Sequence, residues 1–218
     1  MWCVPEIDDE YLSRMENVLR VYRRPTNAHR PVVCIDEKPT QLTGDSRPGI
    51  PLKPGKIAKI DYEYVRNGKA NIFVAVEPKR GRHLLKVTDT RKGIDFAHFL
   101  KDISKKYRYA KKINIILDNL NTHCEKSLID AFGERRGKKL WARFDVHYTP
   151  KHASWLNQAE CEIGLFSREA LSGFRVASKN DLIRKVQCWE REANQRRRTI
   201  RWKFTVSKAR KKFKLSEH

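Results

Sequence analysis

Two short apolar runs, each stopping at an aspartate, constrain this chain more than any other feature. The first is Val32-Val33-Cys34-Ile35-Asp36-Glu37-Lys38, and the second is Ile113-Asn114-Ile115-Ile116-Leu117-Asp118-Asn119. Runs of this kind read as strands covered on both faces, the setting of an α/β sheet. An acid at the end of such a strand stands where the core opens to water. Two such strands bring two carboxylates to one sheet edge. Close carboxylates repel unless a positive group lies between them, and a hard divalent cation suits such oxygens. One aspartate alone reads as a strand-end cap; two, with a third acid downstream, read as a site.

The rest of the chain supplies the layers around these strands. Ile7, Tyr11, Leu12, Met15, Val18, Leu19 and Tyr22 are spaced for an amphipathic helix over 6–22, with Asp8 and Asp9 where negative charge suits the helix dipole. Residues 23–31 read as a linker. The prolines and glycines of 39–56 read as a long loop. Ile60–Arg66 and Asn71–Glu77 flank Asn67-Gly68, a hairpin signal, and 83–89 makes a third antiparallel strand. Gly93–Tyr107 is predicted to be a helix, as are 124–135, Ser154–Leu171 and Asp181–Asn194. In the last of these Leu182, Val186, Trp189 and Ala193 face inward. Leu140–Tyr148 is predicted to be a strand. Antiparallel strands followed by alternating helices and strands give the order of a ribonuclease H-like α/β fold, a mixed five-stranded sheet flanked by helices; topology alone does not fix function. The expected division is an N-terminal helix and linker (1–31), the α/β domain (32–175), and C-terminal helices with a basic tail (176–218).

Charge narrows the partners. The chain of 218 residues carries 47 Lys+Arg against 26 Asp+Glu, a formal net charge of +21. Such an excess suits a polyanion, nucleic acid first. No run is apolar enough for a membrane span, and the N-terminus shows no secretory pattern, so a cytoplasmic location is expected. The cysteines Cys3, Cys34, Cys124, Cys161 and Cys188 form no CxxC pair, which argues against structural zinc and for reduced thiols. Cys34 and Cys188 read as core fillers.

The third acid is expected on the helix after the last strand, in Ser154-Trp155-Leu156-Asn157-Gln158-Ala159-Glu160-Cys161-Glu162. At about 100° per residue, Glu160 and Glu162 both fall beside the apolar stripe, on opposite edges. Periodicity does not choose between them. Glu37 reads either as solvated or as an acid supporting the site from behind. Asn119 and Asn157 are placed to fix carboxylates by hydrogen bonds. His147 and His152 show no metal spacing with a cysteine. In the tail, Arg196-Arg197-Arg198 and Lys211-Lys212 offer salt-sensitive phosphate attraction, while Trp202 and Phe204 are expected to pack a short C-terminal helix onto the core.

Three motifs carry a resemblance. Cys34-Ile35-Asp36-Glu37-Lys38-Pro39, Leu117-Asp118-Asn119-Leu120-Asn121-Thr122-His123 and Ser154-Trp155-Leu156-Asn157-Gln158-Ala159-Glu160 resemble, in order, the three signatures of mariner-superfamily DDE transposases, most closely the bacterial insertion-sequence branch. The likeness runs from about Trp2 to about Phe213. It implies Asp36, Asp118 and Glu160 as catalytic and metal-holding acids, with two Mg²⁺ replaceable by Mn²⁺. It also implies cleavage at element ends and strand transfer into target DNA, favouring TA. Lys38, His123, Lys151, Arg196, Arg197, Arg198, Lys211 and Lys212 become candidates for DNA contact. Implied partners are double-stranded DNA, a second copy of the chain on that DNA, and a helix-turn-helix module encoded separately. The site would be the bacterial cytoplasm, at the nucleoid. Asp118 and Glu160 are farther apart than is usual in that superfamily, and the basic stretch Gly133–Arg143 accounts for the excess. The competing readings are an inactive remnant that binds DNA and a ribonuclease H-type nuclease acting on hybrids.

Overall fold

The computed structural model describes residues 7–57, 59 and 61–213. Cys3 and the first residues of the chain lie outside them, as do Ile60 and the last residues of the tail. Helix α1 (Asp9–Arg23) starts where Asp8 accepts a hydrogen bond from the Tyr11 N–H at 2.7 Å, an N-cap that satisfies one free donor. Then come β1 (Val32–Asp45), β2 (Tyr64–Glu77), β3 (Arg82–Thr88), α2 (Gly93–Lys106), β4 (Ile113–Leu117), α3 (Glu125–Phe132), α4 (Glu134–Trp141) and β5 (Phe144–Tyr148). A 3₁₀ turn at Ser154–Leu156 leads into α5 (Ala159–Phe166), which ends in a π-helical turn at Ser167–Leu171. Helices α6 (Lys179–Arg196) and α7 (Val206–Lys212) close the chain.

The five strands form one mixed sheet in the order β3-β2-β1-β4-β5. β1, β2 and β3 are antiparallel neighbours, while β1–β4 and β4–β5 are parallel. This is the ribonuclease H-like arrangement expected from the element order. Strand alternation sorts the core. Val33, Ile35, Phe73, Ala75, Ile113, Ile115 and Leu117 pack with Phe96, Phe99, Leu100 and Ile103 of α2 and Leu128 of α3. The opposite face gives Cys34, Val76 and Ile116 to α1 and the start of α5, and Ile72, Val74 and Leu85 to Phe166 and the α6 stripe. All four expected α6 residues are buried there. Trp202 lies 5.7 Å from Tyr22 and Phe204 5.3 Å from Trp155, centroid to centroid, so the tail aromatics do pin α7 to the core.

Several local expectations give way. Asn67-Gly68 is not a hairpin turn. β2 runs straight through it, and the pair forms a bulge opposite Leu42, with Gly68 at φ +100°. β1 likewise continues to Asp45 through residues expected to be loop. Pro39 is tolerated because β4 accompanies β1 only from Val32 to Cys34, leaving that side of the strand open. The helix expected over 124–135 is two helices joined at Gly133, and the basic stretch folds as α4 rather than joining β5, which starts at Phe144. Gly137 allows the close crossing: a Cβ there would stand 2.6 Å from the Ile129 nitrogen. Ser154–Leu171 is three short helical types, not one helix. Cys188 is exposed, because Val186 and Trp189 already take the inward positions; Cys34 is buried as expected.

Candidate active site

The register of the parallel strands builds the site. Val32, Val33 and Cys34 pair with Asn114, Ile115 and Ile116. Continuing that register by two residues brings Asp36 level with Asp118, where β4 has ended and the strands part. Alternation turns both away from α2, to the face that carries α5 and Glu160. Asp36 therefore sits inside a long strand, not at its end; what ends is its neighbour.

Asp36 is half-buried. Burial pushes its carboxyl up to about 7, against the Glu37 backbone N–H that donates to it at 2.8 Å, and the charges of Glu160 and Asp118 push the same way. Asn157, itself buried, donates from Nδ2 to the Ile35 carbonyl at 2.8 Å and to Asp36 Oδ2 at 3.1 Å. One side chain thus ties the segment before α5 to β1 and orients Asp36. Asn119, the other expected brace, is exposed.

Asp118 lies on the loop after β4 with a side chain 40% exposed, and His123 Nδ1 reaches its Oδ1 at 2.6 Å. The other ring nitrogen, Nε2, meets Glu37 Oε1 at 2.8 Å. Burial lowers the affinity of His123 for its proton, but hydrogen bonds to Asp118 and Glu37 and their charges outweigh this and raise the ring to about 9. Phe96 lies against the imidazole at 4.4 Å between centroids, and Tyr148 Oη donates to the His123 carbonyl at 2.7 Å. Glu37 is consequently not solvated: its side chain is buried on the histidine. With both nitrogens taken, His123 braces an acid instead of reaching a phosphate. No periodicity could have paired Glu37 with His123, since one lies on β1 and the other on the loop between β4 and α3.

Glu160 and Glu162 separate cleanly. Glu160 is exposed and acts on Asp36, whereas Glu162 is buried and hydrogen-bonded to His83 Nε2 at 2.9 Å. Other expected residues scatter. Lys38 shares the Asp36 face by alternation. Lys151 is exposed in a cleft with Asp8, Glu10 and Arg14. Arg198 is spent on Glu169, with hydrogen bonds of 2.7 and 3.1 Å that hold that carboxyl down at about 2, and Arg196 pairs with Glu192. Arg197 ends α6 in a left-handed turn at φ 47°. Lys211 and Lys212 are exposed on α7. His147 is taken by Asn17 and Asn114.

A family model described as "DDE superfamily endonuclease" matches residues 31–183. The chain belongs to that family. Solved structures of similar fold include the Mos1 transposase paired-end complex with left transposon end, at TM-score 0.59 and 17% identity, covering 90% of this chain and 60% of that one. They also include the Mos1 mariner paired end complex with Mn (TM-score 0.56, 18% identity, 98% and 63% covered) and the Mos1 strand transfer complex (TM-score 0.57, 17% identity, 88% and 57% covered). This chain therefore spans about three fifths of those proteins' length. No curated protein matches it.

The acids of this DDE superfamily endonuclease fit a hard divalent ion. The converging donors are carboxylate oxygens, and Asp36 stands among acids that raise its pKa instead of beside a base that would lower it. Among the described residues no three His, Cys, Asp or Glu side chains are grouped closely enough to hold a metal ion.

Proposed function

We propose that this chain is the catalytic domain of a DNA transposase of the mariner superfamily, in the bacterial insertion-sequence branch. It would cleave phosphodiesters at element ends and transfer the freed strand into target DNA. The observation that carries the reading is Asp36 on β1 beside the loop that holds Asp118 just past the end of β4, with Glu160 close enough for its charge to act on Asp36. The family match and the likeness in fold to Mos1 complexes containing transposon-end DNA support it.

Asp36, Asp118 and Glu160 would hold two Mg²⁺, or Mn²⁺ in their place. When bound, the ions would activate an attacking water or 3′-hydroxyl and neutralise the leaving oxygen. The chain's own residues prepare that chemistry. Asn157 holds Asp36 from behind, and His123, charged between Glu37 and Asp118, braces the Asp118 side chain. Lys38 lies where it can meet a scissile-strand phosphate. Residues 32–175 form the catalytic domain in this reading, flanked by 1–31 and by 176–218, whose Lys211 and Lys212 attract the duplex. A helix-turn-helix module supplied separately would select the ends, with two copies of the chain on the DNA. The work would take place in the cytoplasm, at the nucleoid; no helix among the described residues is long and apolar enough to cross a membrane.

The test is nicking of supercoiled DNA by the purified chain in Mn²⁺, beside Asp118→Asn. Metal-dependent nicking lost in the variant is the expected result. Equal nicking by both proteins would sink the reading.

A further inference from the structure

We infer that Glu162 and His83 form a positioning lock that sets the roll of α5 and so aims Glu160 at Asp36. The inference rests on the reading of Glu160 as a metal-holding acid. α5 is anchored by Ala159, Ile163 and Phe166, which pack into the core, but it is short and irregular at both ends. It is eight residues long, follows a 3₁₀ turn, runs into a π-helical turn, and its N-cap residue Gln158 makes no side-chain cap bond. Glu160 has an exposed side chain, so packing does not hold it either. Its direction comes from residues on either side.

Upstream, Asn157 ties the chain to β1 through Ile35 and Asp36. Downstream, Glu162 reaches β3. His83 is completely buried and the Glu162 residue is 4% exposed, so their 2.9 Å bond is shielded from water. His83 Nε2 and Glu162 Oε2 share one hydrogen across that contact. His83 is itself held firmly. Its N–H donates to Asn194 Oδ1 at 2.8 Å, its carbonyl accepts from Asn194 Nδ2 at 3.1 Å and Lys106 Nζ at 2.7 Å, and Trp189 meets its ring edge-on at 5.6 Å. The lock thus joins α5 to a rigid corner of β3, α2 and α6. Residues two positions apart on a helix, such as Glu160 and Glu162, point about 200° apart. Fixing Glu162 inward therefore fixes which way Glu160 looks. Replacing a buried charged pair by apolar residues of similar volume is often neutral or stabilising, so the role inferred for Glu162 is direction, not stability.

The test is Mn²⁺ binding to the full chain, read by electron paramagnetic resonance of the free ion. Wild type is expected to show a saturable site that Asp118→Asn loses. Glu162→Leu is expected to weaken that site by about 10-fold or more, the scale of supporting-residue effects at metal sites. Glu162→Gln keeps an oxygen before His83 and is expected to restore binding to within about threefold of wild type, a conservative rescue on the same scale. Ile103→Val, which loosens the core far from the site, is expected to leave it unchanged. If Glu162→Leu does not fold, His83→Gln carries the same comparison. A folded Glu162→Leu protein binding Mn²⁺ as wild type does overturns the lock, as does equal weakening by Ile103→Val. A wild type without the saturable site overturns the functional reading first, and the lock with it.

Discussion

Asp36 and Glu37 are adjacent acids on one strand, and the two faces of that strand treat them in opposite ways. Glu37 turns toward α2 and meets His123, so its charge is cancelled inside the protein. Asp36 turns toward α5 and meets Asp118 and Glu160, so its charge is opposed. The rear face is electrostatically finished; the front face needs something positive from outside. Glu37, enclosed with its cation, is a structural part, while the acids around Asp36 mark where a cation is wanted.

Breaking this contrast has graded consequences. Asp36→Asn should lower Mn²⁺-dependent nicking by more than about 100-fold, beyond the range of mere supporting residues. The same change should raise the melting temperature of the metal-free protein above pH 7, because it removes a repelled charge. Calorimetry showing a loss instead would mean Asp36 is structural. His123→Leu attacks the rear face. It strands Glu37 and should cost about 3–5 kcal/mol in denaturant unfolding; a cost near zero would show Glu37 finding water.

Acidity offers a smaller, continuous handle. Asp36 rises from 3.8 to about 7 in the folded chain, and His123 from 6.5 to about 9. In both cases the folded state holds the extra proton. Stability without metal should therefore fall as pH rises, first between about 4 and 7 and then between about 6.5 and 9. Asp36→Asn should flatten the first decline and His123→Gln the second, each read from melting curves. Divalent metal should stabilise more at pH 8 than at pH 5. The mildest change, Lys211→Ala with Lys212→Ala, should lower the salt slope of duplex binding by at most about two units while leaving metal affinity alone.

Much of this was legible in the residues, and the exceptions have physical causes. Val32–Ile35 and Ile113–Leu117 announced buried strands because burial on both faces leaves an unbroken apolar run. The α6 stripe did so because one-sided burial leaves a period of 3.6. Asn67-Gly68 misled because a turn signal is local, whereas the partner that keeps β2 extended is β1, whose own Pro39 and Gly44 read as loop. Glu160 and Glu162 were inseparable on the helical wheel, since the discriminating group, His83, lies 79 residues upstream of Glu162. A separation of 86 residues likewise hid His123 from Glu37. Arg196–Arg198 read as a DNA contact because composition shows charge without showing that Glu169 and Glu192 absorb part of it.

The bulge at Asn67-Gly68 acts as a phase shifter. Before it, Arg66 pairs with Thr43; after it, Lys69 pairs with Gln41, so one strand has advanced a residue past the other. Losing Gly68 would not shorten a loop. It would slide Tyr64–Arg66 by one position along β1 and exchange which of Tyr64 and Val65 looks to either side of the ribbon. Single-residue deletions are usually absorbed in connecting segments; here one would turn over the whole outer half of the β1–β2 ribbon while leaving its length and composition almost untouched.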